Sequence, residues 1–498
     1  LIALHFKIPF FPCRRATFAD DHIMTRRDFL HGSAALGSIW TIGAAPAIHT
    51  TPDHKGIRIR EVDMKFIEHK YRMPYKFGGT AVDRVTMLHV DVTVEGANGK
   101  STQGSGAMPM GNIWSYPSKE MTYEQTLDAM RLLAKEIQRI TADYQERAHP
   151  IEINHVLEPA YLAAAIDISK QHKLATPIPK LCTQVVASAF DAALHDAMGK
   201  SLGVSSYDTY NAECIGYDLS RYLGKDFQGL YPETFLARKP HDWIWLFHSV
   251  GGLDAVTPDE LKERINDGLP ETLAEWIRHD KLQRIKIKLQ GENLAWDIER
   301  TLAIDRVARE TRPDVEWKYC CDFNEKCPDA AYLMEFLQKV GEKSPRALED
   351  ILYLEQPTKR DILTPPQQPM HAASKIRPVV IDESLTDLET LLAAREIGYT
   401  GMCLKACKGQ SHAILMAVAG KKYGMFSCVQ DLTCPGASLV HSCGIAAHVP
   451  GVSTIESNAR QYVPIANAGW EKRFPGIFAS HDGKYHTKDL TGPGLGAV

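Results

Sequence analysis

The sequence predicts an α/β chain in which a small α+β domain precedes a barrel of repeated βα units, and three observations carry that reading. The 498 residues exceed the roughly 250–300 that one core sustains, so two domains are expected. Residues 57 to 95 alternate polar and apolar, and after about residue 200 the rhythm changes to short apolar strands separated by amphipathic stretches. Composition agrees with a globular fold: 44% hydrophobic and 24% charged residues exclude both a disordered chain and a membrane bundle.

The first element is a leader. From Met24 the chain runs Thr25-Arg26-Arg27-Asp28-Phe29-Leu30, then a weakly apolar stretch from Gly32, and ends in Ala45-Pro46-Ala47. Paired arginines, a short apolar core and a small-x-small cleavage site are the features of a twin-arginine (Tat) export signal, so a periplasmic protein is expected. Residues 1 to 23 precede that signal and read as an over-extended gene start, and the fold is argued from about residue 48 onward.

The α+β domain follows. Val85 to Val94 alternates, with breaks at Gly78-Gly79 and at Gly96 to Gly99, which predicts an antiparallel meander. Leu127, Met130, Ala134 and Ile137 then recur at helical spacing. The barrel strands are predicted at Ile285 to Leu289, Val315 to Cys321, Ile351 to Leu354, Pro378 to Ile381, Met402 to Leu404, Met425 to Val429 and Val452 to Ile455. Stretches such as Leu294, Ile298 and Leu302 separate them, and about eight such units close a parallel barrel. The segment Tyr217 to Phe247 holds eight aromatics and breaks the rhythm, and it is expected to be a first βα loop that forms a lid or a subunit contact.

Charge and cysteine usage narrow the function. The net charge is −4 while the first 47 residues carry +2, so the body is acidic and a poor partner for nucleic acid. The 11 cysteines show no Cys-x-x-Cys spacing, which predicts buried free thiols.

A polar residue stands at or just beyond the end of five successive strands: Lys288, Asp322, Glu355, Asp382 and Lys405. Successive members are roughly 30 residues apart, one βα repeat, so they belong around one barrel mouth, where such folds build active sites. Lys286 shares the face of Lys288, two residues away. Three converging carboxylates require a cation, and hard oxygen donors suit Mg²⁺. A proton next to a substrate carboxylate is weakly acidic, and a metal on the carboxylate oxygens stabilises the enediolate formed by its removal. The base must be neutral, and the positive charges of Lys286 and the metal are expected to lower the pKa of Lys288.

These residues resemble the enolase superfamily, in particular its muconate-lactonising, mandelate-racemase-like branch with a Lys-x-Lys motif. The similar motifs are Lys286-Ile287-Lys288, Asp322-Phe323-Asn324, Leu354-Glu355-Gln356-Pro357, Asp382-Glu383-Ser384 and Leu404-Lys405-Ala406-Cys407-Lys408. Asp191 to Lys200 and Gly492 to Gly496 extend the likeness, which covers about residues 57 to 498. The resemblance implies a modified TIM barrel, (β/α)₇β, spanning 181–459, an α+β capping domain at 56–180, and a segment 460–498 that closes the cap, after a leader at 1–47. It implies Asp322, Glu355 and Asp382 as Mg²⁺ ligands and Lys288 and Lys405 as the acid/base pair. Lys286 and Asn324 support them, and Glu456 contacts the substrate carboxylate. The implied function is an isomerase, either a racemase/epimerase or a cycloisomerase.

Departures shape the substrate expectation. Gly409-Gln410 replaces the family's Gly-Gly, and Glu456-Ser457-Asn458 lacks the Asp-x-Asp that dipeptide epimerases use, which disfavours dipeptides. An acid-sugar dehydratase is the alternative, but it needs a histidine on the seventh strand. Met425 to Asp431 has none, and His441 falls later, in a helix. A non-catalytic exported binding protein is the other alternative, and it would be expected to have lost one of the five residues. The expected partners are a small-molecule carboxylate and further copies of the same chain as a homo-oligomer, with no nucleic acid and no stable membrane anchor.

Overall fold

The alternating N-terminal residues form two long strands, β1 (Arg58–Phe77) and β2 (Thr80–Glu95), and a third, β3 (Ser101–Pro109), completes an antiparallel sheet in the order β1-β2-β3. The computed structural model describes residues 55 to 77 and 79 to 496. The Arg26-Arg27 leader and its Ala45-Pro46-Ala47 site therefore lie outside the described residues.

One face of the sheet is apolar, with Val90, Val92 and Val94 fully buried, and it is covered by α1 (Tyr123–Ala142) and α3 (Lys180–Leu202), while α2 (Pro150–Gln171) packs on those two helices. The β3–α3 contact is tight because Gly104 and Gly106 present no side chain. A Cβ on Gly106 would stand 2.1 Å from the Ala189 carbonyl oxygen, and one on Gly104 would stand 2.3 Å from the Ala197 nitrogen. Small residues on both surfaces bring strand and helix into backbone contact. The expected boundary at 180/181 thus coincides with the start of a helix that packs on the small sheet.

Eight parallel strands close the barrel: β4 (Trp243–Val250), β5 (Arg284–Lys288), β6 (Lys318–Asp322), β7 (Ile351–Glu355), β8 (Val379–Ile381), β9 (Gly401–Leu404), β10 (Phe426–Val429) and β11 (Thr454–Glu456). Each pairs with the next, and β11 pairs back to β4. Helices α4 (Leu273–Asp280), α5 (Leu294–Thr311), α6 (Ala330–Lys343), α7 (Leu388–Glu396), α8 (Gln410–Tyr423) and α9 (Ala437–His448) lie along the sequence between strands. A short β12 (Lys484–His486) runs antiparallel on β4. Among the described residues no helix is long and apolar enough to cross a membrane.

The period-two rule sorts the strand side chains into two cores. Ile285, Ile287, Cys321 and Leu354 join the large cluster shared with the helices, while Phe247, Cys320, Tyr353, Val380, Cys403 and Cys428 pack together inside the barrel. The ten described cysteines are all buried free thiols, acting as small soft core residues.

The aromatic segment overturns one expectation. Trp243, Trp245 and Phe247 belong to the first barrel strand itself, β4, which the strand assignment above omits. The stretch before it is therefore not a βα loop at the mouth. Ala237 and His241 donate backbone hydrogen bonds to His448 and Ala447, at the C-terminal end of α9, so this chain enters the barrel from the face opposite the mouth. Alternating aromatics disguised a strand whose helix-facing and barrel-facing positions are both apolar. The true first βα loop is residues 251 to 272. It is tied to the cap where Gly252 N–H donates to the Lys76 carbonyl at 2.9 Å and Arg72 pairs with Asp267 at 2.6 Å.

Candidate active site

Strand register brings the predicted residues level. Lys288 pairs with Asp322 and Asp322 with Glu355, so side chains from β5, β6 and β7 stand side by side at the C-terminal rim. Asp382 follows the end of β8, and Lys405 follows the end of β9. In a ring of eight, β5 and β9 are four strands apart, which puts Lys288 and Lys405 on opposite sides of the mouth.

Lys286 sits at the centre, fully buried. Its Nζ donates at 2.8 Å to Glu355 Oε1, Glu456 Oε2 and Gln430 Oε1, and lies 3.1 Å from Asp322 Oδ2. Lys288 Nζ donates to the same Asp322 oxygen at 2.5 Å. Across the mouth Lys405 Nζ lies 3.0 Å from Asp382 Oδ2 and donates to the Asp431 carbonyl at 3.0 Å. Lys408 reaches the Asp382 backbone carbonyl and comes within 3.3 Å of its Oδ1. The carboxylates that require a cation thus have ammonium groups among them.

Electrostatics follow from this packing. Burial works against the charged forms throughout. For Lys286 it is outweighed by Glu355, Glu456 and Asp322, which hold the ammonium well above its ordinary pKa. Burial likewise opposes ionisation of Asp322, yet Lys288 and Lys286 bring that carboxyl below its usual range. Glu355 goes the other way, raised by burial and by Asp322 despite Lys286. The expected lowering of Lys288 does not occur in this arrangement. Burial, the largest influence, and Lys286 do push in that direction, but the Asp322 carboxylate together with Tyr75 and Glu456 outweighs them and the pKa is raised.

Second-layer residues fix the rim. Gln356, with φ of 30°, accepts from the Asp382 and Ser384 backbone N–H groups at 2.9 and 3.2 Å, so one side chain sets the loop that carries Asp382. Asn324 and Glu325 also have left-handed φ, 42° and 70°, beside Asp322. Such strain in non-glycine residues concentrates where geometry is over-determined. Trp114, on the one-turn helix Asn112–Ser115 of the cap, lies over the site. Its indole N–H donates to Glu383 Oε1 at 2.9 Å, and Lys405 Nζ stands 4.5 Å from its ring centroid. Burial and neighbouring Asp382 push Glu383 up to about 8.

The cation test rests on the oxygen donor set. Asn324 Oδ1 is buried with no hydrogen-bond partner, and the two Asp382 carboxylate oxygens are buried against the Lys405 and Lys408 ammonium groups. A buried acceptor left without a donor is costly, and a hard cation among oxygen donors relieves that cost. Asp322, Glu355 and Asp382 therefore fit Mg²⁺. A cleft of about 420 Å³ between Phe77, Thr80 and Trp114 of the cap and Asn324, Lys326 and Arg360 of the barrel opens onto Glu383.

Comparison with known proteins agrees with this architecture. The family model described as "Enolase C-terminal domain-like" matches residues 269–498. The match spans a little under half of the chain, and that part is similar to the enolase C-terminal domain-like family. Solved enolase-superfamily structures superpose over nearly the whole described chain. A dipeptide epimerase from Enterococcus faecalis V583 has a TM-score of 0.56 at 15% identity, covering 88% of this chain and 99% of that one. A muconate lactonizing enzyme from Pseudomonas fluorescens gives 0.56 at 15%, covering 89% and 97%. An enolase from Bradyrhizobium, complexed with magnesium and mandelic acid, gives 0.56 at 15%, covering 89% and 96%. These likenesses show the fold, a parallel barrel with an α+β cap. No curated protein matches the sequence.

The predicted residues stand together at the mouth, where Glu456 is 2% exposed and accepts from Lys286. Sequence reasoning missed the roles of Trp114, Glu383, Lys408, Gln430 and Asp431. Lys408 and Glu383 stand in the quoted motifs, and Gln430-Asp431 follows β10 as the other site residues follow their strands. That position was the available signal. Trp114 comes from the cap, where no strand rhythm points to the mouth. His441 lies in α9, where burial lowers it to about 4, and it is not among the mouth residues.

Proposed function

We propose that this chain is a Mg²⁺-dependent isomerase that removes a proton alpha to a substrate carboxylate, acting as a racemase/epimerase or a cycloisomerase. The carrying observation is the pair of lysines, Lys288 and Lys405, facing one another across Asp322, Glu355 and Asp382 beneath a tryptophan lid. The racemases, epimerases and cycloisomerases among similar structures support the same class.

Asp322, Glu355 and Asp382 would hold the metal, and bound there it supplies Lewis-acid stabilisation of charge developing on a carboxylate. Asp322 lies against Lys288 and Asp382 against Lys405. Were these carboxylates to hold the metal, their ammonium partners would lose part of the attraction that retains the proton, and Lys288 Nζ or Lys405 Nζ would become able to accept one. Lys286, anchored by Glu456 and Gln430, keeps a fixed positive charge beside Lys288. Phe77 and Trp114 line the cleft over the mouth. In a racemase one lysine takes the proton and the opposite lysine returns one to the other face. In a cycloisomerase one lysine transfers the proton and the other balances charge.

The test is α-proton exchange in deuterated water over a carboxylate library with Mg²⁺. Lys405→Ala should retain exchange from the face of Lys288 while inversion nearly ceases, and Lys288→Ala should give the mirror result, each about 10²- to 10⁴-fold down in turnover. Full inversion in either variant refutes the two-base assignment.

Export by the twin-arginine route belongs to the same proposal and is supported by Arg26-Arg27 and Ala45-Pro46-Ala47. Replacing both arginines with lysine should leave folded, active protein in the cytoplasm. Unchanged delivery across the membrane would refute it.

A further inference from the structure

Away from the mouth, two histidines and a carboxylate converge near the end of α4. His279 Nδ1 lies 2.7 Å and His481 Nδ1 3.1 Å from the same oxygen, Asp280 Oδ1. The three donor atoms all lie within 4.8 Å of one another. Asp280 is 4% exposed at its side chain, whereas His279 and His481 are 38% and 54% exposed, so the cluster has a buried base and an open outer side. The other carboxylate oxygen is held by the Arg460 guanidinium, which also contacts His248 Nδ1 at 2.6 Å.

We propose that His279, Asp280 and His481 form a site for a divalent transition-metal ion of the zinc type, separate from the barrel mouth. The donor chemistry makes the distinction. Two imidazole nitrogens and one carboxylate oxygen suit Zn²⁺, whereas Mg²⁺ prefers oxygen donors throughout. Three protein ligands and a solvent-facing fourth position make an open tetrahedral site. Both imidazoles point their Nδ1 at Asp280, so on binding each presents a lone pair there and moves its ring proton to Nε2 on the exposed side. Arg460 orients the carboxylate from behind, as an outer-layer partner commonly does for a metal ligand.

The position gives the site a structural consequence. His279 and Asp280 end α4, and His481 precedes β12, the strand that joins β4 antiparallel. The intervening backbone is already in close approach: a Cβ on Gly483 would stand 2.6 Å from the Lys281 carbonyl, and the Gly483 carbonyl accepts from Leu246 N–H at 3.0 Å. An ion here adds to the β12–β4 pairing in tying the C-terminal segment to the start of the barrel.

The experiment uses the full chain, stripped of metal and then saturated with Mg²⁺, titrated with Zn²⁺ in a calorimeter, and with Co²⁺ while its visible absorption is followed. Wild type should take up one Zn²⁺ per chain beyond Mg²⁺, give the absorption of tetrahedral Co²⁺, and melt several degrees higher with Zn²⁺. His481→Gln should weaken this uptake about 10- to 100-fold. The double change His279→Gln with His481→Gln should abolish uptake, absorption and the rise in melting temperature. Both side chains are substantially exposed, so the double variant retains the fold. Asp382→Asn, which alters only the mouth, should keep the Zn²⁺ site. Zn²⁺ uptake that persists in the double variant, or is absent from wild type, overturns the assignment.

Discussion

The barrel mouth and the interface between β3 and α3 are equally buried and built from opposite materials. At the mouth, Lys286, Lys288, Asp322, Glu355, Asp382 and Lys405 are all at most 7% exposed, and nearly every contact is between charges. At the cap, Gly104 and Gly106 meet Ala189, Ala193 and Ala197 at backbone distance, and the Asp196 carboxylate, accepting from Ser105 N–H at 2.9 Å, is the charged group at the seam. Buried charge carries a desolvation cost that only its partners offset, so the mouth is poised to rearrange around a cation. Close apolar packing has no such alternative state, so the cap interface holds one geometry. The mouth should therefore respond to metal and pH, and the cap should respond to volume.

The sharpest way to break that contrast is Lys286→Met. It leaves Asp322, Glu355 and Glu456 without their common cation, and the metal-free protein should lose about 3–5 kcal/mol in denaturant unfolding, with turnover abolished. Mg²⁺ should recover part of the stability. A variant as stable as wild type without metal would show that the cluster is not charge-balanced by Lys286. Next is Gly106→Val, whose side chain has no room against the Ala189 carbonyl. A loss of about 3 kcal/mol is expected, unresponsive to Mg²⁺, with activity per folded molecule unchanged. Recovery by metal would mean that the two regions are coupled.

Trp114→Leu removes the one cap side chain that both donates to Glu383 and lies over Lys405. Turnover should fall about 10-fold with little change in the unfolding midpoint. The smallest effect, reckoned per pH unit, concerns Asp431, which burial and Glu456 raise from 3.8 to about 7. Because its folded pKa lies above its unfolded one, the native state retains the proton longer, and stability should fall as pH rises from about 4 to about 7. The slope is about 1 kcal/mol per pH unit in metal-free protein, and Asp431→Asn should flatten it.

Legibility followed the same division. The strand-end residues were readable because a βα repeat places one residue per repeat at the rim, so sequence spacing maps directly onto the ring. The first strand was not readable, since Trp243, Trp245 and Phe247 resemble an aromatic insertion when no polar alternation marks a face. Trp114 and the His279, Asp280 and His481 cluster were invisible for another reason: their partners are hundreds of residues away or on a different domain.

By itself the sequence determined the barrel, its cap, and the order of Lys288, Asp322, Glu355, Asp382 and Lys405 around the rim, because those depend on local period and repeat length. Only the tertiary structure decided which charges pair. Lys286 turned out to be the hub of three carboxylates, and Asp322 holds Lys288 charged against the repulsion of its neighbour. The sign of a buried group's pKa shift depends on distances of a few ångströms between side chains from separate strands, and no pattern along a chain encodes those distances.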